Sequence, residues 1–143
     1  MRLRIELDNT LRERINELSN ETLPQRRQEL IQQAMREGLA HIIETNPVDT
    51  ARSRAAWVRS LEQLGATPPP GWQGPHPSEI EAGRKRGRLQ TAQSDSTSEC
   101  IATNSVEYIP FLEYGTSKMA PFAMVRRALT TIERRLPEWF RLS

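Results

Sequence analysis

Apolar and charged residues alternate at the start of the chain. Leu3, Ile5 and Leu7 are separated by Arg2, Arg4 and Glu6, the period-two pattern of a short half-buried strand over 1–7. The period then lengthens. Leu11, Ile15 and Leu18 recur at three to four residues and predict a short helix, with Asp8, Asn9 or Thr10 as its cap and Ser19 to Thr22 as its break. The strongest pattern follows. Leu30, Ile31, Ala34, Met35, Leu39, Ile42 and Ile43 form one stripe, with Arg26, Arg27, Gln33, Arg36 and Glu37 mostly off it. This periodicity predicts a helix of about 20 residues. Pro24 opens it, because its missing N–H would be unpaired there anyway, and Asn46-Pro47 closes it. Gly38 inside it costs about 1 kcal/mol relative to alanine, which a close helix contact would offset.

The next segment, TARSRAAWVRSLEQL (50–64), has two readings. The spacing of Ala56, Trp57, Leu61 and Leu64 permits a helix, and AAWVRSL reads equally as a strand after a turn. Residues 65–78 contain five prolines and three glycines, a composition that supports no regular ladder and predicts an extended loop or arm. Residues 79–92, with RKRGR, read as a short helix or loop, and SDSTS (94–98) as a turn. Glu99 to Asn104 predict a strand with Cys100 and Ala102 on one face and Ile101 on the other. EYIPFLEY (107–114) is aromatic-rich and ends at Gly115, with Tyr108, Phe111, Leu112 and Tyr114 supplying apolar area. Pro121 starts a last helix through about Leu136, with Phe122, Val125, Leu129 and Ile132 as its stripe. Pro137 ends or kinks it, leaving EWFRLS as a tail. The expected fold is one α+β domain over 1–143: a long N-terminal helix packed on a small, mostly antiparallel sheet, a Pro-rich arm at about 65–78 and a C-terminal helix.

Composition narrows the class. A chain of 143 residues fits one domain. Hydrophobic residues make up 36 % and mean hydropathy is −0.65, so the core is lean and part of its burial is expected against partner subunits. No run of 18 apolar residues marks a membrane span, and the start lacks the apolar stretch of a signal peptide. The single Cys100 excludes an internal disulfide and a cysteine zinc site, which points to a soluble protein of a reducing compartment. The net charge of +2 hides an alternation of −2 over 1–49, +4 over 50–88, −3 over 89–120 and +3 over 121–143. Such blocks neutralise one another within a fold or between copies in a ring. Lys85 and Lys118 are the only lysines among 20 basic residues. That bias suits forked pairing with carboxylates and phosphates, or reflects a genome rich in G and C.

Candidate chemistry is sparse. His41 lies near the apolar stripe and reads as a structural histidine; His76, between prolines, reads as exposed. No HExxH motif, Cys/His ligand cluster or nucleotide-binding glycine motif is present. Gly83 and Gly87 flank RKR without the hydroxyl or strand context of a phosphate loop. Cys100 reads as a small buried residue rather than a nucleophile. No enzyme activity, metal or cofactor is expected. Arg84, Lys85, Arg86 and Arg88, with Arg52, Arg54 and Arg59, offer charge for non-specific contact with DNA, though no sequence-reading motif accompanies them.

Two stretches, NPVDTARSRAAW (46–57) and NSVEYIPFLEYGTSKMAPFAMV (104–125), resemble the neck and tail-completion proteins of tailed bacteriophages, in particular the lambda-type tail-completion family. In that family a long helix leads to a motif like P-V-D-T-G-R-x-R-x-S-W. A variable loop follows, then a strand ending in Asn, then Y-x-x-x-L-E-x-G-x-S, then A-P-x-x-M-V and a helix. The positions carried over from the first motif are Pro47, Asp49, Thr50, Arg52, Arg54 and Trp57. Those from the second are Asn104, Tyr108, Glu113, Gly115, Ser117 and Pro121. Ala51 stands where the family usually has Gly, Ala56 replaces Ser, and Pro110 is uncommon there. If position 51 needs positive φ, its alanine is strained.

The resemblance implies a structural virion protein, assembled in the host bacterial cytoplasm. It would form a homo-oligomeric ring, six-fold as phage tails are, that completes the tail and joins it to the head. Partners would be other neck, connector and tail proteins, with no membrane. The alternatives are a tail terminator or other minor tail protein, and, from another class, a small prophage DNA-binding protein. Asp49 and Thr50 are expected to close an Asx or ST turn, with Trp57 anchoring the chain that leaves it. Glu113 is a candidate partner of Arg52 or Arg54, within a subunit or across an interface. Trp72 in the Pro-rich arm is a candidate interface anchor. Arg84, Lys85, Arg86 and Arg88 are candidates for the lumen.

Overall fold

A computed structural model describes residues 1–8, 23–47 and 51–142, the last helix by its backbone alone beyond residue 135. The helix expected over 11–18 and the turn residues Asp49 and Thr50 lie outside the described residues. Strand β1 (Arg2–Asp8) follows its alternation: Leu3, Ile5 and Leu7 are buried and the charged residues between them are exposed. Helix α1 (Leu23–Thr45) buries its predicted stripe, and Asn46 N–H still bonds Ile42 O at 2.9 Å before Pro47 ends it. The two readings of 50–64 resolve to helix α2 (Arg52–Gln63). It buries Ser53, Ala55 to Val58, Ser60 and Leu61, because α1, β2 and β3 pack around it.

Helix α3 (Pro77–Arg84) starts on the last proline of the arm. The segment 79–92 then divides: RKR closes α3, and strand β2 (Gly87–Gln93) follows. Strand β3 (Thr97–Asn104), short helix α4 (Ile109–Tyr114) and helix α5 (Met124–Leu142) complete the chain. The sheet order is β1-β3-β2, antiparallel throughout, and the fold is α+β. Ile5, Cys100 and Thr91 lie side by side in register. Helices α1 and α2 cover the face that carries Leu3, Ile5, Cys100 and Ala102, and α5 packs on α1. A Cβ on Gly38 would stand 2.7 Å from Ile132 Cδ1 of α5 and 3.3 Å from Leu3 Cδ2. That is the close contact the glycine requires.

Several expectations need correction. Trp72 does not stand out from the arm; it is buried and belongs to the chain's own core cluster, which takes up the ring's large apolar area. Arg27 is not off the buried face: it is fully buried. Its guanidinium donates to Ser94 O at 2.6 Å, Asp95 O at 3.2 Å and Ser98 Oγ at 3.2 Å, tying α1 to the turn between β2 and β3. The last helix begins at Met124, since Ala123 has φ +50°, a left-handed conformation that a right-handed helix excludes. Its buried stripe is Met124, Val125, Ala128 and Ile132; Phe122 is exposed, and the helix continues through Pro137 to Leu142. Phe111 and Tyr114 are also exposed rather than contributing to the core.

Candidate functional site

The two motifs converge on a buried polar junction around Ser53. Asn46 ends α1, and its Nδ2 donates to Ser53 Oγ at 2.9 Å. Asn104, the last residue of β3, donates through Nδ2 to Ser53 O at 2.8 Å and accepts Val106 N–H through Oδ1 at 3.0 Å. The Tyr108 hydroxyl accepts Ser53 N–H at 3.3 Å. Asn46, Ser53 and Asn104 are each at most 1 % exposed, so these bonds satisfy backbone and amide groups that have no water to turn to. Arg54 Nη2 donates to Asn46 O at 2.6 Å, placing a cation on the carbonyl end of α1, where the helix dipole favours it. Burial lowers the Arg54 pKa from its ordinary value, and it stays a cation at neutral pH.

Ala51, where the resembling family carries glycine, has φ +64°. Its carbonyl accepts Ala55 N–H at 2.8 Å and starts α2. The alanine holds the left-handed turn at a steric cost that glycine escapes. Trp57 is fully buried. Pro47 is half-buried after Asn46.

Glu113 has a partner other than the two expected. Arg52 pairs with Glu79 of α3, Nη2 to Oε2 at 2.5 Å, and Arg54 serves Asn46. Glu113, 1 % exposed, caps α5 instead. Its Oε2 accepts Val125 N–H at 2.9 Å, and its Oε1 accepts Arg126 N–H at 3.0 Å and Arg126 Nε at 3.1 Å. A carboxylate on the first free N–H groups of a helix is favoured by hydrogen bonding and dipole together. Arg126 Nη2 returns a bond to Glu113 O at 2.6 Å, and its guanidinium lies 5.1 Å from the centre of the Tyr114 ring. Gly115 makes the connection possible. It has φ +79°, and a Cβ there would meet Met119 O at 2.7 Å and Pro121 N at 2.9 Å. Ser117 is exposed in the loop between them.

The basic run is divided. Arg84 pairs with Glu62 across α3 and α2, which raises its pKa from its ordinary value, while Lys85, Arg86 and Arg88 are exposed. The glycines flanking the run have a steric task. A Cβ on Gly83 would stand 2.1 Å from Arg52 O, and one on Gly87 2.0 Å from Ala56 O. Both let α2's backbone pass against α3 and β2.

In chemical terms the junction holds and positions. The Ser53 hydroxyl faces an amide, which does not withdraw its proton as an imidazole or carboxylate would. Burial pushes the Cys100 thiol up to about 11, leaving it protonated at neutral pH. His41 Nε2 and Trp57 Nε1 are buried without a hydrogen-bond partner among the described residues. Among those residues there is no cluster of three metal-ligating side chains, and no helix is long and apolar enough to cross a membrane.

Sequence reasoning missed Arg27, the pairing of Asn46 with Ser53, and the tasks of Gly83 and Gly87. Arg27 was legible in one respect: it precedes Leu30 and Ile31 by one helical turn and so lies on their face. Comparison with protein-family models, curated proteins and solved structures finds no match to this chain.

Proposed function

We propose that this chain is a structural protein of a tailed-phage virion. It forms a ring in the neck that completes the tail and joins it to the head, with a lumen for DNA. One observation carries the reading beside the resemblance: the second motif uses its interior to hold a surface in shape. Glu113 and Gly115 lock α4 to the start of α5. On the outside of that lock Phe111 is 56 %, Tyr114 65 % and Phe122 38 % exposed. Phe111 and Tyr114 are one turn apart on α4, and Phe122 N–H bonds Leu112 O at 2.8 Å. Exposed aromatic side chains on a rigid support favour a protein interface. A heterologous contact of this kind closes a ring when its rotation divides a full circle. The anchor role expected of Trp72 passes to Phe111 and Tyr114.

Electron microscopy of particles lacking the protein tests the reading. Full heads beside unattached tails support it; normally joined virions reject it. In particles that contain the protein, a ring of it on the head-proximal end of tails not yet joined to heads indicates a tail terminator. The exposed Lys85, Arg86 and Arg88 favour a second reading, a prophage DNA-binding protein. That reading requires the monomer to bind duplex DNA, with log K falling by about 0.9 per neutralised phosphate against log salt.

A further inference from the structure

The free edge of β1 has a sequence and a backbone geometry that complement themselves. In the order β1-β3-β2, β1 pairs with β3 on one side only among the described residues. Met1 and Asn104 exchange both bonds, Asn104 N–H to Met1 O at 2.8 Å and the Met1 ammonium to Asn104 O at 2.9 Å. Antiparallel ladders alternate, so Leu3, Ile5 and Leu7 also turn their backbone groups toward β3. Arg2, Arg4 and Glu6 turn theirs outward, to the free edge.

We infer that this edge joins two copies of the chain antiparallel, about a two-fold axis at Ile5. The residues of β1 read Arg, Leu, Arg, Ile, Glu, Leu, Asp. Reversed against itself with Ile5 opposite Ile5, the strand sets Arg2 against Asp8, Arg4 against Glu6 and Leu3 against Leu7. Every charged pair is then of opposite sign, and every apolar residue meets an apolar residue on the helix-covered face. The outward-turned backbones of Arg4 and Glu6 face each other as a hydrogen-bonded pair, which the alternation demands. Neighbouring registers fail. A shift of two residues one way opposes Arg4 to Arg4, and the other way Glu6 to Glu6; a shift of one puts leucines on the charged face. Parallel in-register pairing stacks arginine on arginine. Like charges directly opposite destabilise a sheet and opposite charges stabilise it, so one register is selected.

The other edge lacks this property. Along β2, Gly87–Gln93, the one charged residue is Arg88, and no self-pairing gives it an acidic partner. Nor, among the described residues, is β1 guarded as edges usually are. Its charges alternate in sign by halves instead of repelling an incoming copy, and it holds neither a proline nor a bulge in its register with β3. The product is a continuous six-stranded sheet with α1 and α2 of both copies on one face. This contact is isologous and stands apart from the heterologous contact that closes a ring. It describes a dimer that precedes the ring, or the join between two rings.

Sedimentation of the full-length chain across a concentration series tests the pairing. Dimers are expected, and Arg2→Glu, which sets a carboxylate against Asp8 of the other copy, is expected to weaken them at least about tenfold. Asp8→Arg is expected to do the same, and the double variant Arg2→Glu/Asp8→Arg, which inverts the pair, to restore association. Raising salt from about 0.05 M to about 0.5 M is expected to weaken the wild-type dimer. A chain that stays monomeric, a dimer indifferent to either single reversal and to salt, or a double variant that folds and does not recover, overturns the inference. A six-fold ring indifferent to these reversals overturns it while leaving the neck reading intact.

Discussion

The side-chain amide of Asn104 donates to the backbone carbonyl of Ser53 at 2.8 Å, joining the end of β3 to the first turn of α2 across 51 residues of sequence. Because it bonds the Ser53 backbone, its contribution separates from that of the Ser53 hydroxyl. Asn104→Ala removes the second bond to Ser53 C=O, which helix α2 already engages, leaves Val106 N–H unpaired in the core, and is expected to cost about 2–3 kcal/mol. Ser53→Ala keeps the bond from Asn104, loses the contact with Asn46 and is expected to cost about 1 kcal/mol. Urea unfolding of both variants checks the ordering.

The capping role of Glu113 makes a local prediction. Glu113→Gln replaces one accepting oxygen with a donor that faces N–H groups at the start of α5. Stability is expected to fall by about 1–3 kcal/mol. Amide hydrogen exchange is expected to accelerate at Val125 and Arg126, ahead of the rest of α5. A uniform acceleration would contradict the capping role.

Alanine at Gly83 or Gly87 overlaps a backbone carbonyl of α2, which cannot turn aside as a flexible side chain does. Each is expected to cost about 2–3 kcal/mol or more. Gly65→Ala, whose Cβ meets nothing within 4 Å, carries only the strain of φ +78° and is expected to cost about 1 kcal/mol. Thermal unfolding of the three variants measures the difference.

The Cys100 thiol titrates at about 11 in the folded chain and at about 8.5 when unfolded. Its folded pKa is raised, so the protonated thiol's contribution to stability is complete below the unfolded value. That contribution is lost as pH rises through the window up to about 11. Cys100→Ala is expected to flatten this part of the pH–stability curve. An aromatic disulfide reagent at neutral pH is expected to label Cys100 only on unfolding.

Periodicity alone determined β1, α1 and the burial of Cys100 and Ala102, because each rests on a repeat that matches one secondary structure and one covered face. The close contact that would offset Gly38 was equally local, since it follows from what a helix backbone permits. A left-handed residue at position 51 was only a condition raised by the resemblance, and the structure supplied its φ of +64°. Tertiary structure decided the rest. AAWVRSL became a helix because α1, β2 and β3 surround it. GRLQTAQ became a strand because β3 offered its free edge, although five of its seven residues are exposed and supply no sustained alternation. Trp72 went inward, and Phe111 and Tyr114 outward, according to which neighbours stood beside them. Glu113 found Val125 and Arg126 rather than Arg52, because a carboxylate goes to the nearest unpaired donors, and Gly115 folds the start of α5 back to it. Short-range periodicity dictates what a segment becomes when one face is buried. Which buried polar groups meet depends on separations of tens of residues, and one sequence carries no record of those distances.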